Sequence, residues 1–139
     1  MDQEKQKLAQ KWLIKSQRDL IAAKILAEQS LPIFDYAIFH CQQAAEKAIK
    51  ALLVYHGKAT PRGQKGHKLE VLIKLAKEFD INIDSRITYR SSLTELAVET
   101  RYPDYGLGTS DEFNKAFENA ESFCKYIRSK IPVEAPPVK

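Results

Sequence analysis

Between Phe34 and Tyr55, the apolar residues Phe34, Ile38, Cys41, Ala45, Ala48, Leu52 and Tyr55 recur at alternating steps of four and three. That spacing keeps them on one face of a helix with 3.6 residues per turn and is incompatible with the two-residue alternation of a half-buried strand. The stretch is also rich in alanine, which lets neighbouring helices approach closely on more than one side. Residues 33–56 are therefore expected to form the central helix of a helical protein, and the rest of the chain has to pack around it.

The remaining helices follow from the punctuation. All five glycines fall within 57–66 and 106–108, and the prolines stand at 32, 61, 103, 132, 136 and 137, between periodic stretches or in the tail. A first helix over residues 2–29 carries a stripe of Leu13, Leu20, Ala23 and Ala27, with Trp12, Ser16 and Asp19 beside it. A third over 67–79 buries Leu69, Leu72, Ile73 and Ala76. A fourth over 84–100 opens on Asp84 as an N-cap and turns Leu93, Leu96 and Ala97 inward. A fifth starts at Ser110-Asp111-Glu112, with acid in its first turn, and repeats Phe113, Phe117, Ala120, Cys124, Ile127 and Ile131. No strand-like alternation of useful length and no internal repeat interrupt this pattern. The expected fold is all-α, an up-and-down antiparallel bundle of four to five helices over residues 1–131, with a proline-rich disordered tail at 132–139.

At 139 residues the chain suits one domain with a single core. No window holds the roughly 18 apolar residues of a membrane span, and the charged start Met-Asp-Gln-Glu-Lys has no signal-type apolar stretch, so a cytoplasmic protein is expected. Cys41 and Cys124 both fall on apolar stripes, with no metal-ligand spacing, and are read as buried reduced thiols. Charge is uneven: residues 1–68 hold twelve Lys/Arg against six Asp/Glu, whereas residues 69–139 hold ten against twelve. The basic first half permits contact with nucleotides or nucleic acid.

Chemistry is expected from three places. On the second helix Gln42, Gln43, Glu46, Lys47 and Lys50 share one side at spacings of three and four, and Glu46 precedes Lys50 in the favourable order for an ion pair. This reads either as a solvated face or, on a central helix, as a polar row that needs partners. Arg101 closes the fourth helix, where a cation suits the helix dipole, and lies near one face with Arg86 and Arg90; such guanidinium groups can grip phosphate. Tyr102, pinned by Pro103, can stack on a base. The loop from Gly57 to Gly66 has three cations, three glycines and no acid, a composition suited to an anion or to a surface loop. Arg62 and His67, separated by four intervening residues, can in principle cleave RNA without a metal: the imidazole exchanges the 2′-hydroxyl proton and the guanidinium stabilises the phosphorane. His67 is more simply read as a helix-capping or packing histidine. His40 and His56 show no partner at catalytic spacing. The sequence holds no metal-ligand cluster, Ser-His-Asp set, P-loop or dinucleotide fingerprint, so neither metal nor cofactor is expected.

Several of these residues together resemble the HEPN domain family (higher eukaryotes and prokaryotes nucleotide-binding domain), in the form of a small stand-alone prokaryotic member. They are Trp12, Arg18-Asp19-Leu20 and Ala23; the block from Phe39-His40-Cys41-Gln42-Gln43 through Lys50 to Leu53; Gly66-His67 with Leu69 and Leu72; and Arg101-Tyr102-Pro103. The resemblance runs from about residue 10 to 131. It implies a bundle that forms a homodimer, and a partner, a minimal nucleotidyltransferase, the pair acting as a toxin–antitoxin or nucleotide-handling module. Many relatives are metal-independent endoribonucleases with an Arg followed four to six residues later by His, and that Arg would correspond to Arg101. Here Tyr-Gly-Leu-Gly occupies 105–108 and no His follows at those distances.

The resulting expectation is a binding subunit and not an enzyme. Lys47, Lys50 and Arg101 would hold the phosphate of a nucleotide or other phosphorylated ligand, Gln43 and Glu46 would orient it, and Tyr102 would stack. The alternative is a metal-independent endoribonuclease toxin acting on RNA through Arg62 and His67.

Overall fold

The computed structural model describes residues 3–63, 68–86 and 108–132. These form four α-helices and one 3-10 turn: α1 (Gln3–Ala27), α2 (Phe34–Tyr55), α3 (Leu69–Ala76), the turn Ile83–Arg86, and α4 (Ser110–Lys130). Among the described residues there is no strand, and the protein is an all-α bundle.

α2 is the centre, as its alanine-rich stripe requires. Ala37, Ile38, Cys41, Ala44, Ala45, Ala48, Ile49, Ala51, Leu52 and Leu53 are all buried, which needs neighbours on several sides at once. α1 lies antiparallel along one side. Lys50 of α2 meets Trp12, Ala44 meets Ser16 and His40 meets Asp19, so the α1 number rises as the α2 number falls. α4 lies along another side and runs in the same direction as α2: Phe34 packs on Phe113 at one end, and Ser16 touches both Ala44 and Cys124 further along. Phe123 and Ile127 of α4, with Leu69, Leu72 and Ile83 from the α3 region, complete the core.

The helix ends show where local chemistry overrode the periodicity. α1 stops at Ala27, two residues short of expectation, where Gln29 Nε2 donates to the Ile25 carbonyl at 2.9 Å. α2 ends in a Schellman arrangement: Gly57 N–H donates to the Val54 carbonyl (2.9 Å) and Lys58 N–H to the Leu53 carbonyl (2.8 Å). Gly57 takes φ +74 there, a conformation costly for any residue with a side chain. α4 starts at Ser110, as expected, and is capped by Thr109. Its hydroxyl accepts from Glu112 N–H (3.1 Å), while the Glu112 carboxylate accepts from Thr109 N–H (2.9 Å).

α3 is shorter than the expected helix over 67–79, and after Ala76 it winds down through turns in which Phe79 N–H donates to the Ala76 carbonyl. The ring of His56, just past α2, stacks on Phe79 with centroids 4.2 Å apart. Where the fourth helix was expected to begin, residues 83–86 form the 3-10 turn instead, and Asp84 pairs with Lys77 at 3.2 Å. This segment is held to α4 because the Tyr126 hydroxyl donates to Asp80 and the Arg86 guanidinium lies 4.7 Å over the Tyr126 ring. The rest of the expected fourth helix, and the tail beyond Pro132, lie outside the described residues.

Candidate functional site

The polar residues of α2 form two groups beside α1. The first centres on Asp19, a buried carboxylate on α1. Its Oδ2 accepts from Lys47 Nζ at 2.6 Å and its Oδ1 lies 2.9 Å from His40 Nδ1. An ionised carboxylate only accepts, so the proton between them rides on His40 Nδ1. His40 and Lys47 stand two turns apart on the same face of α2, and one aspartate reaches both because it projects from α1 between them. The His40 side chain is 37% exposed and that of Lys47 25% exposed, so both touch solvent while their anchor is largely buried.

The second group is a chain of hydrogen bonds along α2. Gln43 Nε2 donates to Gln42 Oε1 (3.0 Å), Gln42 Nε2 donates to Glu46 Oε1 (3.4 Å), and Lys50 Nζ donates to Glu46 Oε2 (3.0 Å). Glu46 is 1% exposed and Lys50 8%, so the ion pair expected from their spacing is a buried one. The Lys50 ammonium also lies 5.3 Å from the centroid of Trp12 on α1. A buried charge without partners would be expensive, and here each has a counter-ion and, for Lys50, an aromatic face.

Gln43, Glu46 and Lys50 thus belong to one network, and Lys47 belongs to another with Asp19 and His40. Arg62 is exposed at the far side of the Gly57 turn. Arg101, Tyr102 and His67 lie outside the described residues. The spacing of the sequence does not reveal the role of His40, because its partner stands 21 residues away on another helix. The available signal was Asp19 on the inward edge of the first helix, an acid where an apolar residue or a paired charge belongs.

Two further buried groups lie beneath this face. Ser16 donates its hydroxyl to the Ala44 carbonyl at 2.7 Å, and the same oxygen is 3.4 Å from Cys124 Sγ. Cys41 and Cys124 are free, buried thiols. Burial pushes the Cys124 thiol up to about 11 and Cys41 higher still, which keeps both protonated and poor as nucleophiles. Among the described residues no three His, Cys, Asp or Glu side chains gather as a metal site, and no helix is long and apolar enough to cross a membrane.

Comparison with known proteins agrees with this architecture. The family model described as the HEPN domain matches residues 9–130. No curated protein and no solved structure matches the chain.

Proposed function

This chain belongs to the HEPN domain family, and from that premise we propose that it is a ligand-binding subunit whose α2 face receives a nucleotide or another phosphorylated ligand. The observation that carries the proposal is the anchoring of two lysines by buried carboxylates, Lys47 by Asp19 and Lys50 by Glu46. A lysine held by a fixed partner has already lost its rotamer freedom, so a ligand meets a prepared donor. An ammonium carries three N–H donors, and Lys47 uses one on Asp19. In this reading Lys47 meets the phosphate and Gln43 orients the ligand, while the enclosed pair Glu46 and Lys50 supports that face from beneath. The charges of Asp19, Glu46, Lys47 and Lys50 cancel, so the counter-charge for the anion comes from Arg101, with Tyr102 stacking on a base. The subunit would work as a homodimer beside a minimal nucleotidyltransferase, within a toxin–antitoxin or nucleotide-handling pair.

Calorimetric titration of the purified protein with AMP, ADP and ATP tests this reading. Binding is expected, and Arg101→Ala and Lys47→Ala each weaken it at least tenfold with the helical circular dichroism unchanged. A wild-type protein that takes up none of these nucleotides at millimolar concentration sinks the reading.

One observation favours a second reading, a metal-independent endoribonuclease. An aspartate on Nδ1 of an imidazole leaves Nε2 as an acceptor able to take the proton of a 2′-hydroxyl, and His40 is held in that way. This histidine joins Arg62 and His67 as a candidate. RNA incubated with the protein in excess chelator decides the matter. Cleavage lost in His40→Ala or in His67→Ala identifies the working histidine, and RNA left intact removes the enzyme reading.

A further inference from the structure

The outward face of α1 carries an unbalanced row of cations. From residue 5 to residue 18 the chain reads Lys-Gln-Lys-Leu-Ala-Gln-Lys-Trp-Leu-Ile-Lys-Ser-Gln-Arg, with five cations and no acid. Lys7, Lys11, Lys15 and Arg18 are all exposed, and at 3.6 residues per turn they fall within about 80° of arc on the helix. Eleven residues separate the first from the last, a rise of about 16 Å. None of the four makes an ion pair, a hydrogen bond or a ring contact among the described residues, in contrast to Lys47, Lys50, Lys58 and Lys77, which each have a carboxylate.

The fold gains nothing from this row. Lys7–Lys11 and Lys11–Lys15 are like-charge pairs one turn apart, which destabilise a helix, and Lys7 stands near the positive end of the helix dipole. The opposite face of α1 is committed to the core through Ala9, Leu13, Ser16, Leu20 and Ala23, so α1 cannot lie down on a lipid surface by its apolar side. A one-helix, one-sided row of regularly spaced cations, unpaired among the described residues, fits a single polyanionic strand. We propose that Lys7, Lys11, Lys15 and Arg18 form a sequence-independent binding track for the sugar–phosphate backbone of single-stranded nucleic acid. It is separate from the α2 face and does not rest on the nucleotide-binding reading.

Fluorescence anisotropy with a labelled 20-nucleotide RNA of mixed sequence, its DNA counterpart and polyglutamate, between 50 and 200 mM salt, tests the track. Four backbone contacts to a single strand give a log–log salt slope near −3. The variant Lys7→Gln/Lys11→Gln/Lys15→Gln/Arg18→Gln is expected to bind RNA at least tenfold more weakly, to flatten the slope and to melt no lower than wild type. The charge-matched control Lys24→Gln/Lys74→Gln/Lys115→Gln/Lys125→Gln, whose residues are exposed elsewhere, is expected to keep most of the affinity and slope. Comparable RNA and DNA binding marks the shared backbone as the ligand, whereas a strong preference for RNA adds recognition of the 2′-hydroxyl to the track. No binding of either nucleic acid at 50 mM salt, equal losses in variant and control, or tighter binding to polyglutamate than to RNA would each overturn the proposal.

Discussion

Asp19 on α1 and Lys47 on α2, 28 residues apart in the chain, meet at 2.6 Å, and the aspartate side chain is only 10% exposed. The same carboxylate reaches His40, so one acid orders two basic side chains on the neighbouring helix. Asp19→Ala leaves Lys47 and His40 without their anchor, but both touch solvent and can turn outward. The expected loss is about 2–3 kcal/mol, smaller than for a fully buried pair. Urea unfolding measures it, and a double-mutant cycle of Asp19→Ala with Lys47→Ala should return a coupling of about 1 kcal/mol or more.

Glu46 and Lys50 are more deeply enclosed, and the asymmetry of buried pairs gives a sharper expectation. Removing Lys50 alone with Lys50→Ala strands Glu46 in the core and should lower stability by about 3–5 kcal/mol. Neutralising both partners, Glu46→Gln with Lys50→Met, should recover most of that loss. Intrinsic fluorescence of Trp12 should report both changes, because the Lys50 ammonium lies over that ring. Equal destabilisation by the single and double variants would mean that packing, not charge, holds this spot.

The two buried thiols set a limit in base. Their folded-state values lie above the ordinary thiol value of 9.0, so the neutral form is favoured in the folded protein. The stability this provides is complete below about pH 9 and is lost as pH rises toward the Cys124 value of about 11, because the unfolded chain releases those protons first. Tyr126, raised by burial and by its bond to Asp80, works in the same direction. The urea midpoint should therefore fall between pH 9 and pH 11, and fall less in Cys124→Ala. Native protein should resist iodoacetamide at pH 8, with both cysteines labelled once urea is added.

At the two turns that close α2 and open α4, single substitutions should cost about 1 kcal/mol each. Gly57→Ala forces a side chain into φ +74 and brings a methyl group within 2.8 Å of Lys5 Nζ. Thr109→Ala removes half of the capping box. Thermal melts resolve both, and Gly57→Ala paired with Lys5→Ala separates the backbone strain from the contact.

Much of this architecture is visible in the residues. The four-three stripe of α2 marks Ile38, Cys41, Ala45, Ala48 and Leu52, and each is buried. The i,i+4 order of Glu46 and Lys50 foretells their ion pair, since that relation lies within one helix and needs no knowledge of its neighbours. The Asp19–His40–Lys47 group is different. Its geometry depends on how far α1 is rotated about its own axis against α2, which no spacing within either helix records. The short extent of α3 and the 3-10 turn at 83–86 escape for a related reason: the apolar residues there continue at helix-compatible spacing, while the backbone follows contacts of Ile83 and Asp80 with the rest of the bundle.

At Ser16 three helices share one small polar atom. Its hydroxyl proton is committed to the Ala44 carbonyl, and the Cys124 sulfur approaches the same oxygen, so α1, α2 and α4 are keyed together like meshed gears. A twist of any one of them must be answered by the other two. A load applied to the outer side of the first helix would then be felt at the last, through a linkage only a few atoms long.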